Sequence, residues 1–455
     1  MHEPLNSGLA NEAIVVITQV LMKVGGTHRG AKMDIGFPES DSEDELPGGW
    51  EERTTLDDRV YYVNHLEKSV QWTHPGTKRR KIVCGPLPST WRRLVDNEGR
   101  AVFQDLRTGE TTFSDPRLAQ ALEQSDQHVH PFPRQRFDAR STVMQVMHGL
   151  NLTEKTVFVT GGTSGIGFEF VKAIVVHGAS VIVACRNIDS GRELMKKLKA
   201  LTPSAKIDLV SCDLSALESV KTCADEIIRM NRRIDIFVYN AAIFEPNFNV
   251  TKDGIEKTFC VNYLSHFYLT KLLWNKMKEC APARIVITTC ECHHLCVCPF
   301  CRQHYESYFS ANFRAKPIDE LFSIENLSPV SASSYSSLGA YCLSKLCCVL
   351  FTAALQERLS EHNLCCVAVH PGNVVYTKLF RSYFPLRFIA FLCRPFAKTL
   401  EQAAASIAFA SFATELADTS SNYVNNCWFS QMVNLAMSPI TRLRLWRLSE
   451  RFLPC

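Results

Sequence analysis

From residue 155 onward, short apolar runs alternate with amphipathic stretches. Runs at 157–159, 180–184, 206–210 and 234–238 read as strands, and the stretches 168–176, 193–201 and 219–230 between them read as helices. Runs at 284–287 and 365–369 continue the series. Alternating strand and helix signals predict an α/β domain, a doubly wound parallel sheet with helices on both faces. Its span is 154–455. Ahead of it lies an internal repeat, 47–75 and 88–116. Each copy opens on Pro47 or Pro88, places Trp50 or Trp91 three residues later, and closes on Pro75 or Pro116. Each has a central β-prone pair (Tyr61-Tyr62, Val102-Phe103) and an aromatic ten residues after it, Trp72 or Phe113. Turn-prone Asp57-Asp58 and Asn97-Glu98-Gly99 separate the first two strand-like runs of the copies. The pattern predicts two small three-stranded all-β units, 47–76 and 88–117. The polar segments 77–87 and 118–153 read as linkers.

Residues 1–46 carry an acidic run at 39–45 and read as a disordered leader, too polar to offset its ordering entropy. Met33 precedes that run, so residues 1–32 are either an upstream extension or a mistaken start.

Composition narrows the classes. Of the 455 residues, 46% are hydrophobic, and Gly (21) and Pro (20) are near average, which excludes a collagen-like or wholly disordered chain. The net charge of +4 argues against a dedicated nucleic-acid binder, which usually shows a strong basic excess. The 19 cysteines are an odd count in a long chain. The apolar segment 13–22 lacks a basic lead-in and is too short to span a bilayer. Free, mostly buried thiols in a reducing compartment are expected. The basic run Lys78-Arg79-Arg80-Lys81 reads either as a nuclear localisation signal or as a solvated linker.

The repeats resemble WW domains. The resemblance implies that Trp50, Tyr62 and Pro75 form the structural side of the first unit, and that Tyr61, His65 and Trp72 form a ligand groove opposite. Strand alternation lets adjacent tyrosines serve both faces. An aromatic groove suits a preformed polyproline II helix, and Tyr61 with His65 resembles the class that reads Pro-Pro-x-Tyr. Val70 departs from the family, which usually has Thr or Ser there. In the second unit Val102, Leu106 and Phe113 replace the groove Tyr, His and Trp, while Trp91, Phe103 and Pro116 remain. That copy is expected to fold and support its neighbour with little ligand affinity.

A Gly-rich turn, Gly161, Gly162, Thr163, Ser164, Gly165, Ile166 and Gly167, follows the first strand and opens a helix. Such a turn lets backbone approach a pyrophosphate at a helix N-terminus. With Thr160 its spacing resembles the short-chain dehydrogenases/reductases. The second strand ends at Arg186-Asn187, where Arg accommodates a 2′-phosphate, so NADP is favoured over NAD. The same resemblance implies cofactor contacts at Asp213, Leu214, Asn240 and Thr377. Tyr341 and Lys345 form the family's Tyr-x-x-x-Lys, with phenol and ammonium on one helix face. The Lys is expected to favour tyrosinate and to bind the nicotinamide ribose. Asn262 resembles the family residue that orders a relay water.

The catalytic serine position, which also polarises the substrate carbonyl, holds Cys290, a weak donor. Thr289 next to it is expected to point to the opposite face. Cys290, Cys292, His293, His294, Cys296, Cys298, Cys301 and His304 form a cluster without a common zinc spacing. It reads as a loop of free thiols, with zinc or redox sensing as the alternative, and no metal ligands are assigned.

Two WW units ahead of a short-chain reductase resemble the WW domain-containing oxidoreductase family. This implies Pro-Pro-x-Tyr partners for the first unit, a steroid- or retinoid-like substrate, and a tumour-suppressor role in apoptosis and Wnt signalling. It also implies a cytoplasmic location with movement into the nucleus and association with mitochondria. The alternative is a signalling adaptor whose reductase domain binds cofactor but turns over little because of Cys290.

Overall fold

The computed structural model describes residues 46–118, 122–124, 135–296, 321–372, 375, 377, 379, 397–416 and 422–454. The leader, with Met33 and the acidic run, and Cys298, Cys301 and His304 lie outside the described residues.

Strands β1 (Trp50–Thr54), β2 (Val60–Asn64) and β3 (Ser69–Gln71) form one antiparallel sheet. Asp58 at φ 63° and Lys68 at φ 53° make the two turns. Strand β4 (Arg80–Ile82) lies in the segment read as a basic linker. Strands β5 (Trp91–Val95), β6 (Ala101–Asp105) and β7 (Thr111–Thr112) repeat the first sheet. Strand β8 (Leu122–Gln124) returns to pair with β4. The basic run is therefore structured rather than a solvated linker. Lys81 is largely buried and pairs with Glu52 at 3.3 Å, and Val83 joins Val60 and Tyr62 in a core to which Leu46, Trp50 and Leu118 also pack. A unit this small needs flanking chain to close its core.

The second expected linker is also partly wrong. It contains α1 (Val143–Met147), whose Val143, Val146 and Met147 are buried in the main domain. A capping box between Thr142 and Gln145 starts it. Gly149 (φ 80°) sits where a Cβ would lie 2.4 Å from the Pro116 carbonyl, so only Gly allows the second WW unit to approach. Asn151 Nδ2 donates to the Leu87 carbonyl across the same contact, at 2.9 Å.

The main domain follows the predicted alternation. Its elements are β9 (Thr156–Thr160), α2 (Gly165–Val176), β10 (Ser180–Cys185), α3 (Ile188–Leu201), β11 (Lys206–Ser211), α4 (Leu217–Arg229), β12 (Ile236–Tyr239) and α5 (Ser265–Leu272). Then come β13 (Ala283–Thr288), α6 (Ser337–Leu359), β14 (Leu364–His370), α7 (Leu400–Phe412), β15 (Tyr423–Asn425), β16 (Trp428–Phe429) and α8 (Pro439–Arg451). The sheet order is β11-β10-β9-β12-β13-β14-β15-β16, parallel except for β16. Consecutive strand residues serve opposite cores: Phe158 packs with α4, α5 and α6, while Val157 and Val159 pack with α1, α2 and α7. The order reverses between β9 and β12, and ligands of open α/β sheets bind at such a point. Helix α6 is apolar and long enough to cross a membrane, but it is buried inside this core.

Candidate active site

The Gly-rich turn links β9 to α2. Gly161 (φ 68°) and Gly167 are required by packing: a Cβ on the first would meet Ala241 Cα at 2.7 Å, and on the second the Gly161 carbonyl at 2.2 Å. Gly162 packs against Val171 and Val183. Gly165 differs. It holds φ 60° and a Cβ there would meet nothing within 4 Å, so it faces open space. Ser164 precedes α2 without capping it, and Thr163 and Ile166 are half-buried. The first-turn N–H groups of α2 thus remain available for an anion. A dinucleotide pyrophosphate fits this cradle, with Gly161–Gly167 as its holder.

The other expected cofactor residues divide. Arg186 is exposed just past the end of β10. Asn187 instead caps α3, its side chain accepting from Asp189 N and Ser190 N. Asp213 accepts from Ser215 N and Oγ at 2.9 and 2.7 Å. Leu214 is core, and its carbonyl accepts the Ser265 hydroxyl at 2.6 Å. Asn240 Nδ2 donates to the Gly161 carbonyl at 3.1 Å, bracing the turn. Thr377 is half-buried, and its hydroxyl accepts from Leu379 N at 3.2 Å.

Tyr341 and Lys345 lie one turn apart on α6, both buried, with Lys345 Nζ 5.8 Å from the Tyr341 ring centre. The ammonium donates to the Thr288 carbonyl at 3.0 Å. Burial pushes the Tyr341 phenol well above its ordinary value, helped by the neighbouring Cys290 and Cys292. Desolvation disfavours the charged phenolate here, the opposite direction to the effect expected of a nearby ammonium. Asn262 sits in a π-turn, Cys260–Leu264, a distortion common at functional sites. Its side chain is occupied: Oδ1 accepts from Ile243 N at 2.8 Å, and Nδ2 donates to Ser344 Oγ at 3.0 Å. Thr289 turns its hydroxyl to the Lys345 carbonyl at 2.9 Å, away from the substrate side as alternation predicted.

Cys290 lies two residues past the end of β13, with Cys292 and His370 as the neighbours that act on its thiol. The contact with Cys292 and burial together push it well above an ordinary thiol. Every cysteine among those with described burial is free, and most are buried. His293 is fully buried, its Nδ1 2.5 Å from the Cys290 carbonyl.

The short chain dehydrogenase model matches residues 155–294 and the WW domain model residues 46–75. The WW domain-containing oxidoreductase of Gallus gallus is 38% identical over 418 residues, covering 92% of this chain and 96% of its own. The chain belongs to the WW domain-containing oxidoreductases. The Homo sapiens member is 39% identical with the same coverage of both chains. Retinol dehydrogenase 12 of Bos taurus is 31% identical over 300 residues, 66% of this chain and 86% of its own. As a WW domain-containing oxidoreductase, the chain joins a short-chain reductase domain to a module that binds proline-rich partners.

In that module, two of the three residues expected to line the groove come together. Tyr61 and Trp72 lie with ring centres 6.0 Å apart, and Trp72 is 48% exposed. His65 is exposed and its Nε2 lies 2.6 Å from Glu51 Oε2. Val70 is exposed two residues before Trp72. Tyr62 is fully buried on the other face, with His74 edge-on to it at 5.3 Å. In the second unit Phe103 is fully buried and Leu106 exposed, as expected.

Sequence reasoning passed over His266, His370 and Glu51. The first two lie in the stretches 261–267 and 370–372, where a lone apolar-flanked His carries no spacing signal.

Proposed function

We propose that the catalytic domain reduces a lipophilic carbonyl of steroid or retinoid type with NADPH, and that the first WW unit docks it on Pro-Pro-x-Tyr partners. One observation carries the reading. Tyr341 and Lys345 lie buried one turn apart on α6, and burial pushes the phenol above its ordinary value, which suits an acid that completes carbonyl reduction. The bound nicotinamide would supply the hydride to the carbonyl carbon. Tyr341 Oη gives its proton to the carbonyl oxygen, and the Lys345 ammonium, anchored on the Thr288 carbonyl, stabilises the phenolate left behind. Exposed Arg186 supports NADP, having a free guanidinium where a 2′-phosphate would lie. The retinol dehydrogenase relationship supports the substrate class.

A second reading, an adaptor with little turnover, is favoured by Cys290, because its thiol is a weak donor already engaged with Cys292 and His370. The test is titration of the full chain with NADPH and NADH, then a carbonyl screen. Tighter NADPH binding and turnover abolished by Tyr341→Phe support the enzyme. Cys290→Ser that raises the rate by roughly tenfold or more supports a crippled site.

The family resemblance supports a tumour-suppressor role in apoptosis and Wnt signalling, in the cytoplasm with movement into the nucleus and association with mitochondria. Lys78 and Arg80 are exposed for the nuclear signal, whereas Lys81 is engaged with Glu52.

A further inference from the structure

His266, on α5, is only 3% exposed and joins two parts of the site. Its Nε2 lies 3.0 Å from Thr160 Oγ1, at the start of the Gly-rich turn. Its Nδ1 lies 3.3 Å from the Asn262 carbonyl. Its ring stacks on Tyr239 at 4.9 Å.

The proton positions follow from counting. Thr160 Oγ1 already accepts two backbone N–H groups, from Asn240 at 3.0 Å and Ala241 at 3.2 Å. A hydroxyl has two acceptor sites and one proton, so Thr160 must donate its proton to His266 Nε2. Nε2 is therefore bare, the ring proton sits on Nδ1, and Nδ1 donates to the Asn262 carbonyl. Burial, with a smaller contribution from Lys345, lowers the imidazole to about 4, so it stays neutral as this arrangement requires. The Asn262 carbonyl also accepts the Cys348 thiol of α6 at 3.4 Å. A directed chain thus runs from the backbone of Asn240 and Ala241 through Thr160 and His266 to the Asn262 carbonyl, where it ends on an acceptor shared with the Cys348 thiol of the helix bearing Tyr341 and Lys345.

We propose that His266 is a positioning residue that latches two parts of the site with one ring: Nε2 holds the nucleotide-binding turn for the cofactor pyrophosphate, and Nδ1 holds the Asn262 segment and, through it, the Tyr341–Lys345 helix. The proposal rests on the NADPH-dependent reading above for its consequence, though not for its geometry.

Three variants of the full chain separate the two halves. His266→Asn places an amide donor where Nδ1 was but cannot reach Thr160. His266→Gln reaches Thr160 but offers nothing to Asn262. His266→Phe keeps the ring volume and loses both. Loss of one hydrogen bond predicts a roughly five- to tenfold effect. His266→Asn should weaken NADPH binding by that factor with kcat retained. His266→Gln should hold NADPH within about twofold and lower kcat by that factor, and His266→Phe should show both. Equal losses of both quantities in all three variants, in step with Tm, would mean that the ring only fills space, and overturn the latch. Histidine-selective NMR of the wild-type chain gives a reading independent of cofactor: an Nδ1–H neutral ring supports the latch, and an Nε2–H ring overturns it. Should the wild type bind no NADPH, the proposed function fails while the ring tautomer still decides the latch.

Discussion

The two WW units share a sheet, a buried aromatic on one face and an aromatic at the groove position, yet they end in opposite states. In the first, Trp72 is about half exposed and meets Tyr61 across an open face. In the second, the equivalent Phe113 lies beneath two guanidinium groups, Arg53 at 4.3 Å and Arg100 at 4.9 Å, the former reaching over from the first unit. The units are also bolted together. Asp115 accepts Thr54 Oγ1 at 3.1 Å and pairs with Arg117 at 2.8 Å, while Asp58 receives Arg117 at 2.7 Å and Arg93 at 3.0 Å. A groove position turned towards a neighbour becomes an interface, and the same position turned to solvent stays a receptor.

The largest expected effect comes from breaking the bolt. Asp115→Ala strands a buried Arg117, and the WW pair should lose about 3 kcal/mol or more in urea unfolding of the full chain. A loss below about 1 kcal/mol would mean Asp58 suffices. The main domain should yield first to acid. His266 and His293 are buried neutral with values lowered to about 4 and about 3. Below pH ~6.5 the unfolded state binds these protons and the folded state does not, so stability falls as pH drops from ~6.5 towards those values, on the order of 3 kcal/mol for His266. Fluorescence-monitored unfolding at pH 7.5 and 5 checks this, and a flat profile would contradict it.

Smaller effects concern the groove. Trp72→Ala should weaken a Pro-Pro-x-Tyr peptide by about 2 kcal/mol, as expected for a groove anchor. Val70→Thr should tighten the same peptide by about 1 kcal/mol if the missing hydroxyl matters, read by calorimetry. Least visible is Phe113→Trp: restoring the aromatic type in the second unit should create no measurable peptide binding, because Arg53 still covers it. Binding at that unit would show that composition, not the neighbour, had disabled it.

Much of this was readable along the chain. The alternation from 157 to 238 maps onto β9 to β12, and Tyr62 is buried on the face opposite Tyr61, as period-two alternation requires of adjacent strand residues. The misread parts are short or two-sided. Strand β4 and helix α1 are 3 and 5 residues long, below the length at which periodicity speaks, and the charges of Lys78-Arg79-Arg80-Lys81 disguised a pairing strand. Asn187 and Leu214 also carry roles that position alone does not reveal: one caps α3 and the other packs in the core.

Residue order alone determined the doubly wound sheet, the Gly-rich turn, the Tyr341–Lys345 spacing and the replacement of serine by Cys290, since each rests on local period or chemical type. Tertiary structure alone decided that burial raises the Tyr341 phenol, that Phe113 is covered, and that His266 joins Thr160 to Asn262. Those outcomes depend on how much water is excluded and which distant group fills the space, and residues 106 positions apart, such as Thr160 and His266, reveal neither until the chain is folded.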